Sequence, residues 1–106
     1  MPGPRLTLRS PRRALVLPLT VSGEDAAGRG FTETTRTLDV SGGGLAFASR
    51  KHLLIGSRLV LEVRLPPRLR RHFAGREAYR VKAVVCRVVA AKQGPGQVGV
   101  RFLGEA

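Results

Sequence analysis

Three arginines, Arg9, Arg12 and Arg13, precede the first apolar stretch of the chain. A guanidinium group keeps its charge and presents a planar fork of N–H donors that matches a phosphate or the O6/N7 edge of guanine. An arginine-rich leader taken alone is usually a solvated tail. A partner segment elsewhere in the chain is therefore needed before these arginines predict an anion site.

Such a segment runs from Asp39 to Gly44 and reads Asp-Val-Ser-Gly-Gly-Gly. Asp39 can accept hydrogen bonds, and Ser41 offers a hydroxyl and a backbone N–H at a tight turn. The glycines, Gly43 and Gly44 among them, would let the backbone approach a ligand closely and adopt a positive φ. An ordinary Asx-type turn at the end of a strand has the same composition. The pairing with the arginines is what predicts a binding site.

Catalytic readings of these residues are disfavoured. No Gly-Lys-Ser/Thr follows the glycine run, so it is not a nucleotide-hydrolase loop. His52 and His72 lack cysteine or carboxylate partners at metal-ligand spacing, and we predict no metal site. A triad of Ser41, His52 and Asp39 would lack any nucleophile-elbow context. We therefore expect a binding protein rather than an enzyme, with no cofactor.

The composition favours anionic partners. The chain of 106 residues carries a formal net charge of +12, with sixteen arginines against three lysines. A field of that sign concentrates phosphate-bearing molecules, although a high-GC genome would also enrich arginine. The single cysteine, Cys86, cannot form an internal disulfide, and its apolar neighbours predict a buried or half-buried thiol. No stretch is long and apolar enough to span a membrane, so we expect a cytoplasmic protein.

The elements that must position these residues are β-strands. Period-2 alternation and β-branched residues dominate, and Gly or Pro recurs about every ten residues, which is typical of an antiparallel sandwich or barrel. We predict strands near residues 14–22, 31–39, 44–49, 58–65, 78–91 and 97–102. Gly94 and Pro95 should close a hairpin between the last two strands.

The alternation fails over residues 68–80, which read as an exposed basic loop with one helical turn at most. Apolar residues are interleaved there with arginines, so we interpret the loop as an output surface for a downstream protein or DNA. The arginines proposed to contact that partner are Arg68, Arg70, Arg71 and Arg76.

The two polar segments resemble the signatures of the PilZ family, RxxxR followed two to three dozen residues later by (D/N)xSxxG. Arg9 and Arg13 match the first signature, and Asp39, Ser41 and Gly44 match the second. Arg12 fits the second arginine about as well as Arg13, so the register stays open. The resemblance extends from Arg9 to the closing Gly-Val-x-Phe strand. It implies an all-β fold, a six-stranded antiparallel barrel, with a PilZ domain over residues 9–106 after a flexible tail of residues 1–8.

Many PilZ domains carry a C-terminal helix, which we expect here to be short or absent. The resemblance also implies a receptor for cyclic di-GMP that transmits second-messenger level to a partner. That ligand has two phosphates and two guanines, which suit the arginines and Asp39.

Two alternatives remain. One is a basic barrel that tracks nucleic-acid phosphates through the loop and through Arg58, Arg64 and Arg87. The other is a degenerate PilZ-like module that contacts proteins. The oligomeric state is not predicted.

Overall fold

The computed structural model describes residues 16–106 of the chain. Within that range it contains six strands and one short helical segment between the fourth and fifth strands. The strands are β1 (Pro18–Glu24), β2 (Gly30–Val40), β3 (Gly44–Ser49), β4 (Arg58–Arg64), β5 (Ala78–Val89) and β6 (Gly96–Glu105).

The strands close into an antiparallel barrel in the order β1-β2-β3-β6-β5-β4, and β4 pairs back to β1. Closure leaves none of these six strands as an open edge. The predicted all-β barrel is confirmed. The predicted hairpin also forms, since β5 pairs with β6 across a turn in which Gly94 has φ of +75°.

The barrel interior is filled by the alternate residues of each strand, because successive side chains of a strand point to opposite faces. Phe47, Leu61 and Val81 are fully buried and lie on three different strands. The other buried apolar side chains of the core are Leu17, Leu19, Val21, Leu45, Leu53, Leu59, Val63, Leu65, Ala83, Val85, Val98 and Val100.

The pairing of β5 with β6 is interrupted at Cys86. Val85 pairs with Val100 and Arg87 pairs with Gly99, so Cys86 is an extra residue without a partner in the ladder. A bulge of this kind moves the side chain out of the regular alternation. Cys86 follows the inward-facing Val85 and is exposed, with its Sγ 3.4 Å from the carbonyl oxygen of Gly99. The prediction of a buried or half-buried thiol was wrong.

The stretch after β4 is more ordered than a loop. It forms α1 (Pro67–Arg70) and a 3₁₀ turn (Arg71–Phe73), which ends where Ala74 adopts a left-handed φ of 58°. Proline at the start of α1 suits the first helical position. We call residues 67–76 the basic segment. No helix in residues 16–106 has the length and apolar character needed to cross a membrane.

Candidate ligand-binding site

The turn of residues 39–44 connects β2 to β3 and is fixed by its own hydrogen bonds. The N–H of Ser41 donates to the carbonyl of Gly44 at 2.9 Å, and its hydroxyl donates to the same oxygen at 3.3 Å. On the other side, the N–H of Phe102 in β6 donates to the carbonyl of Gly43 at 2.9 Å. The turn is therefore anchored both internally and to the barrel wall. We call it the motif turn.

Gly44 is required by packing. A Cβ at this position would overlap the carbonyl oxygen of Val100 on β6, whereas a Cβ at Gly43 would meet nothing within 4 Å. Neither glycine has a positive φ, so the expectation of unusual backbone angles in this run was wrong. Gly44 therefore permits the close contact of β3 with β6.

Asp39 reaches the outer face of the barrel because of a bulge in β2. Thr37 pairs with Phe47 on the core side, and the next pair is Asp39 with Ala46, which leaves Leu38 as the extra residue. Thr37 is fully buried and accepts a hydrogen bond from the N–H of Leu17 at 2.8 Å. Without the bulge, Asp39 would point into the core, two residues after Thr37.

A second bulge, at Cys86, has the same effect on Arg87. Regular alternation after Val85 would direct Arg87 inward, but the extra residue turns it outward, where its Nε would lie 3.3 Å from a Cβ placed on Gly99. The Arg87 side chain therefore covers Gly99. From the sequence, Arg87 could be named only as one of several strand arginines proposed to track nucleic-acid phosphates. Its place beside Asp39 could not be predicted, because a bulge leaves no signal in the period-2 pattern.

The ladder joins these residues into one row across four strands. Asp39 pairs with Ala46, Ala46 with Gly99, and Gly99 with Arg87. Directly paired residues share a face of the sheet, so an acid and a base stand at the two ends of a floor made of small residues. Three strand spacings make this floor about 14 Å wide. We call it the outer floor.

Arg101 lies beside the outer floor. It is the β6 partner of Gly44, the last residue of the motif turn, and is exposed. The floor is therefore bordered by Asp39 on one side and by two guanidinium groups, those of Arg87 and Arg101, on the other. Such a flat surface with charged borders suits a planar, anionic ligand with hydrogen-bond donors on its edges.

The basic segment lies at the same end of the barrel as the motif turn. A cavity of about 220 Å³ is lined by Ser41 and Gly42 on one side and by Leu69, Phe73 and Tyr79 on the other. The rings of Phe73 and Tyr79 are 5.2 Å apart, within the range of a favourable aromatic pair. The expectation of an exposed loop was therefore wrong for its apolar residues, which pack against the core.

Two of the four arginines assigned to this segment have structural partners. The Nε of Arg70 donates to the carbonyl of Leu65 at 3.0 Å, and Arg76 bridges to Glu105 at 3.1 Å. Arg68 and Arg71 make no ion pair or side-chain hydrogen bond with any residue of the range 16–106, and both are exposed. Of these four arginines, only Arg68 and Arg71 present a guanidinium group without a partner among residues 16–106 to the solvent.

No cluster of three or more histidine, cysteine or acidic side chains that could hold a metal occurs in the part of the chain described by the structure.

The PilZ domain family model matches residues 7–105 of the chain. The chain belongs to the PilZ family. The match covers nearly the whole sequence and includes both polar segments.

Solved structures of other PilZ proteins share the fold. MotI/DgrA, the inhibitor of motility from Bacillus subtilis, is 21% identical with a TM-score of 0.67, over 92% of this chain and 43% of that one. The PilZ domain of YcgR from Escherichia coli, solved with c-di-GMP, is 19% identical with a TM-score of 0.60, over 90% and 76%. MrkH of K. pneumoniae, in complex with c-di-GMP, is 19% identical with a TM-score of 0.58, over 90% and 43%.

The PilZ chain thus spans less than half of the length of the first of these proteins. No curated protein has a sequence that matches this chain.

The first PilZ signature lies outside the described residues, because Arg9, Arg12 and Arg13 precede residue 16. The choice between Arg12 and Arg13 stays a prediction, as does the tail of residues 1–8. Of the second signature, Asp39 stands on the outer face, Ser41 lines the cavity, and Gly44 is buried against β6.

Proposed function

We propose that this PilZ domain is a cyclic di-GMP receptor that binds its ligand on the outer floor, between the motif turn and Arg87. The observation that carries the proposal is the pair of bulges that places Asp39 and Arg87 on one face over Ala46 and Gly99. The presence of c-di-GMP in the YcgR and MrkH structures supports the choice of this ligand.

Each group in the proposed site has a role that matches the ligand chemistry. Asp39 accepts hydrogen bonds from the N1 and N2 hydrogens of one guanine, for which a carboxylate is the natural acceptor. Arg87 and Arg101 donate to phosphate or to guanine O6/N7. Ala46 is 1% exposed and the Arg87 side chain covers Gly99, so Arg87 must swing aside for a ring to lie flat over these two small residues. Arg9 and Arg12 or Arg13 supply the remaining cationic contacts.

The proposed role is that of a receptor or adaptor without catalytic activity. Guanidinium forks and one carboxylate bind a dinucleotide, but they offer no nucleophile with an adjacent base. Occupancy of this site would be transmitted to a partner.

Calorimetric titration of the full chain with cyclic di-GMP tests the proposal. We expect a Kd of about 1 μM or lower, which corresponds to roughly −8 kcal/mol. GTP, which carries guanine and phosphate in a different arrangement, should bind much more weakly. Equal heats with GTP would indicate attraction by net charge alone, and the absence of heat at high micromolar ligand would refute the proposal.

Nucleic-acid binding is a second candidate function, favoured by the exposed guanidinium groups of Arg68 and Arg71. MrkH is a c-di-GMP dependent transcription regulatory factor, so a DNA partner is compatible with the first proposal. The assignment of Arg70 and Arg76 to the same contact is less favoured, because both already hold local structure.

The salt dependence of DNA affinity distinguishes a specific contact from general charge. If Arg68 and Arg71 each contact a phosphate, the double variant R68S/R71S should flatten the slope of log affinity against log salt by about 2. A matched variant, R29S/R36S, removes two exposed arginines elsewhere on the barrel. If both variants flatten the slope equally, the basic segment has no particular role.

A further inference from the structure

The end of the barrel opposite the motif turn carries a second concave surface. β3 begins at Gly44 beside the motif turn and ends at Ser49 beside this surface, about 17 Å away along the strand. The cavity here has a volume of about 390 Å³. We call it the basal groove and define it by six of its lining residues, which are Arg50, Lys51, His52, Leu54, Val88 and Val89.

One wall of the basal groove is apolar and open to solvent. Leu54, Val88 and Val89 are 57%, 39% and 47% exposed, and the adjacent Ile55 is 69% exposed. Single exposed apolar side chains are common on protein surfaces, but three that line one concave surface mark a contact site. Three of the six large hydrophobic residues that are exposed in residues 16–106 line this groove, and Ile55 is adjacent to one of them in sequence.

The exposed side chains are held in place by a tight turn. The N–H of Ser57 donates to the carbonyl of Leu54 at 3.1 Å, and the N–H of Gly56 donates to the carbonyl of Val85 at 2.8 Å. Gly56 has a φ of +95°, as the third position of a type II turn requires. Ile55 is therefore presented at the tip of an ordered turn that is anchored to β5.

The other wall of the basal groove is basic. Arg50, Lys51 and His52 line it, and no acidic side chain of the described chain does. None of the ion pairs among residues 16–106 involves Arg50 or Lys51; the Lys51 ammonium group lies 5.7 Å from the ring centre of Phe31.

The nearest carboxylates are occupied by other donors. Asp25 accepts from the N–H groups of Ala27 and Arg29, at 2.9 and 3.0 Å. The N–H of Arg29 is the main cause that lowers the pKa of this carboxyl group. Glu33 accepts from the Ser49 hydroxyl at 2.7 Å and from the N–H of Arg50 at 2.9 Å. Asp25 is close enough to Lys51 to interact with it electrostatically. No acidic side chain lines the groove itself, so a segment bound there would face Arg50 and Lys51 directly.

We propose that the basal groove docks an acidic segment of a partner protein, with an apolar side chain of that segment inserted against Leu54 and Val89. The concave shape favours a polypeptide over a lipid surface, because a bilayer would not fill the groove. The apolar wall and the basic wall together favour a segment that combines apolar and acidic residues over a nucleic acid. Such a partner would receive the signal in the receptor role proposed above, yet the docking itself does not require the ligand.

Selection of short random peptides displayed on phage against the full chain, without cyclic di-GMP, tests this inference. We expect the enriched peptides to combine Asp or Glu with Leu or Phe. The variant L54S/V89S should weaken a synthetic copy of an enriched peptide by about tenfold or more, measured by fluorescence anisotropy, and should leave the affinity for cyclic di-GMP unchanged.

Leu103→Ser provides the matched control, because Leu103 is 42% exposed on β6 outside the groove. It should leave peptide binding unchanged, and melting curves should show that all variants fold. Enriched peptides without acidic residues, or equal losses in L54S/V89S and L103S, would overturn the inference. It would also be overturned if L54S/V89S abolished self-association of the chain or binding to phosphatidylglycerol vesicles while peptides failed to bind.

Discussion

Replacing Gly44 by alanine is expected to destabilise the domain by about 3 kcal/mol, at the upper end of the range for overpacking. The added methyl group would overlap the carbonyl oxygen of Val100, and the α-carbon of Arg101 lies 3.3 Å from the same position. Both obstacles are backbone atoms of β6 and cannot rotate away. Relief requires β3 and β6 to separate at the point where the motif turn ends and β3 begins.

Gly43→Ala is the matched control, because a Cβ there meets nothing within 4 Å. For a domain of this size, the Gly44 variant should lower the melting temperature by roughly 15 °C, whereas the Gly43 variant should change it little. Melting followed by circular dichroism makes the comparison. Equal melting temperatures for the two variants would show that Gly44 has no packing role.

The second large effect concerns ligand affinity at the two ends of the outer floor. Asp39→Ala and Arg87→Ala should each weaken cyclic di-GMP binding by about 1–3 kcal/mol, or roughly fivefold to 150-fold, as expected for one charge-assisted or base-edge contact. The effects have different origins, since one variant removes an acceptor for guanine and the other removes a donor for phosphate or guanine.

Arg29→Ala is the control for the loss of one positive charge. Arg29 is exposed in the turn between β1 and β2, at the end of the barrel remote from the motif turn. Its replacement should change the affinity by less than about twofold, because solvent and salt screen a distant charge. If Arg87→Ala and Arg29→Ala have the same effect in calorimetric titrations, Arg87 acts through net charge and does not contact the ligand.

The strands and turns of this domain could be predicted from the sequence, because period-2 alternation and glycine or proline punctuation are local properties of the chain. Leu59, Leu61 and Val63 occupy alternate positions of β4 and do face the core, while Arg58, Glu62 and Arg64 are on the other face. The polar segment at residues 39–44 could also be found, since its residue types already suit a ligand.

The two bulges could not be predicted, although they decide which side chains share a face. Each bulge inserts one residue of a type that gives no sign of a bulge. Leu38 and Cys86 therefore look like regular strand positions. The consequence is large, because a shift of one residue reverses the direction of every following side chain. Asp39 and Arg87 are brought to one surface in this way.

The prediction of an exposed loop at the basic segment was wrong for a different reason. Its arginines dominate the composition of residues 68–76 and hide two anchoring side chains, Leu69 and Phe73, which Tyr79 of β5 joins. Leu69, Phe73 and Tyr79 pack against the barrel mouth, a tertiary contact that no local pattern encodes.

The measurement that tests the central claim most directly is an NMR titration of the isotope-labelled chain with cyclic di-GMP, followed through the backbone amide signals. The account predicts that the signals of Ser41, Gly44, Arg87 and Gly99 shift together with one affinity, while those of the turn at residues 54–57 stay in place. Shifts confined to the basal groove, or none on the outer floor at saturating ligand, would contradict it.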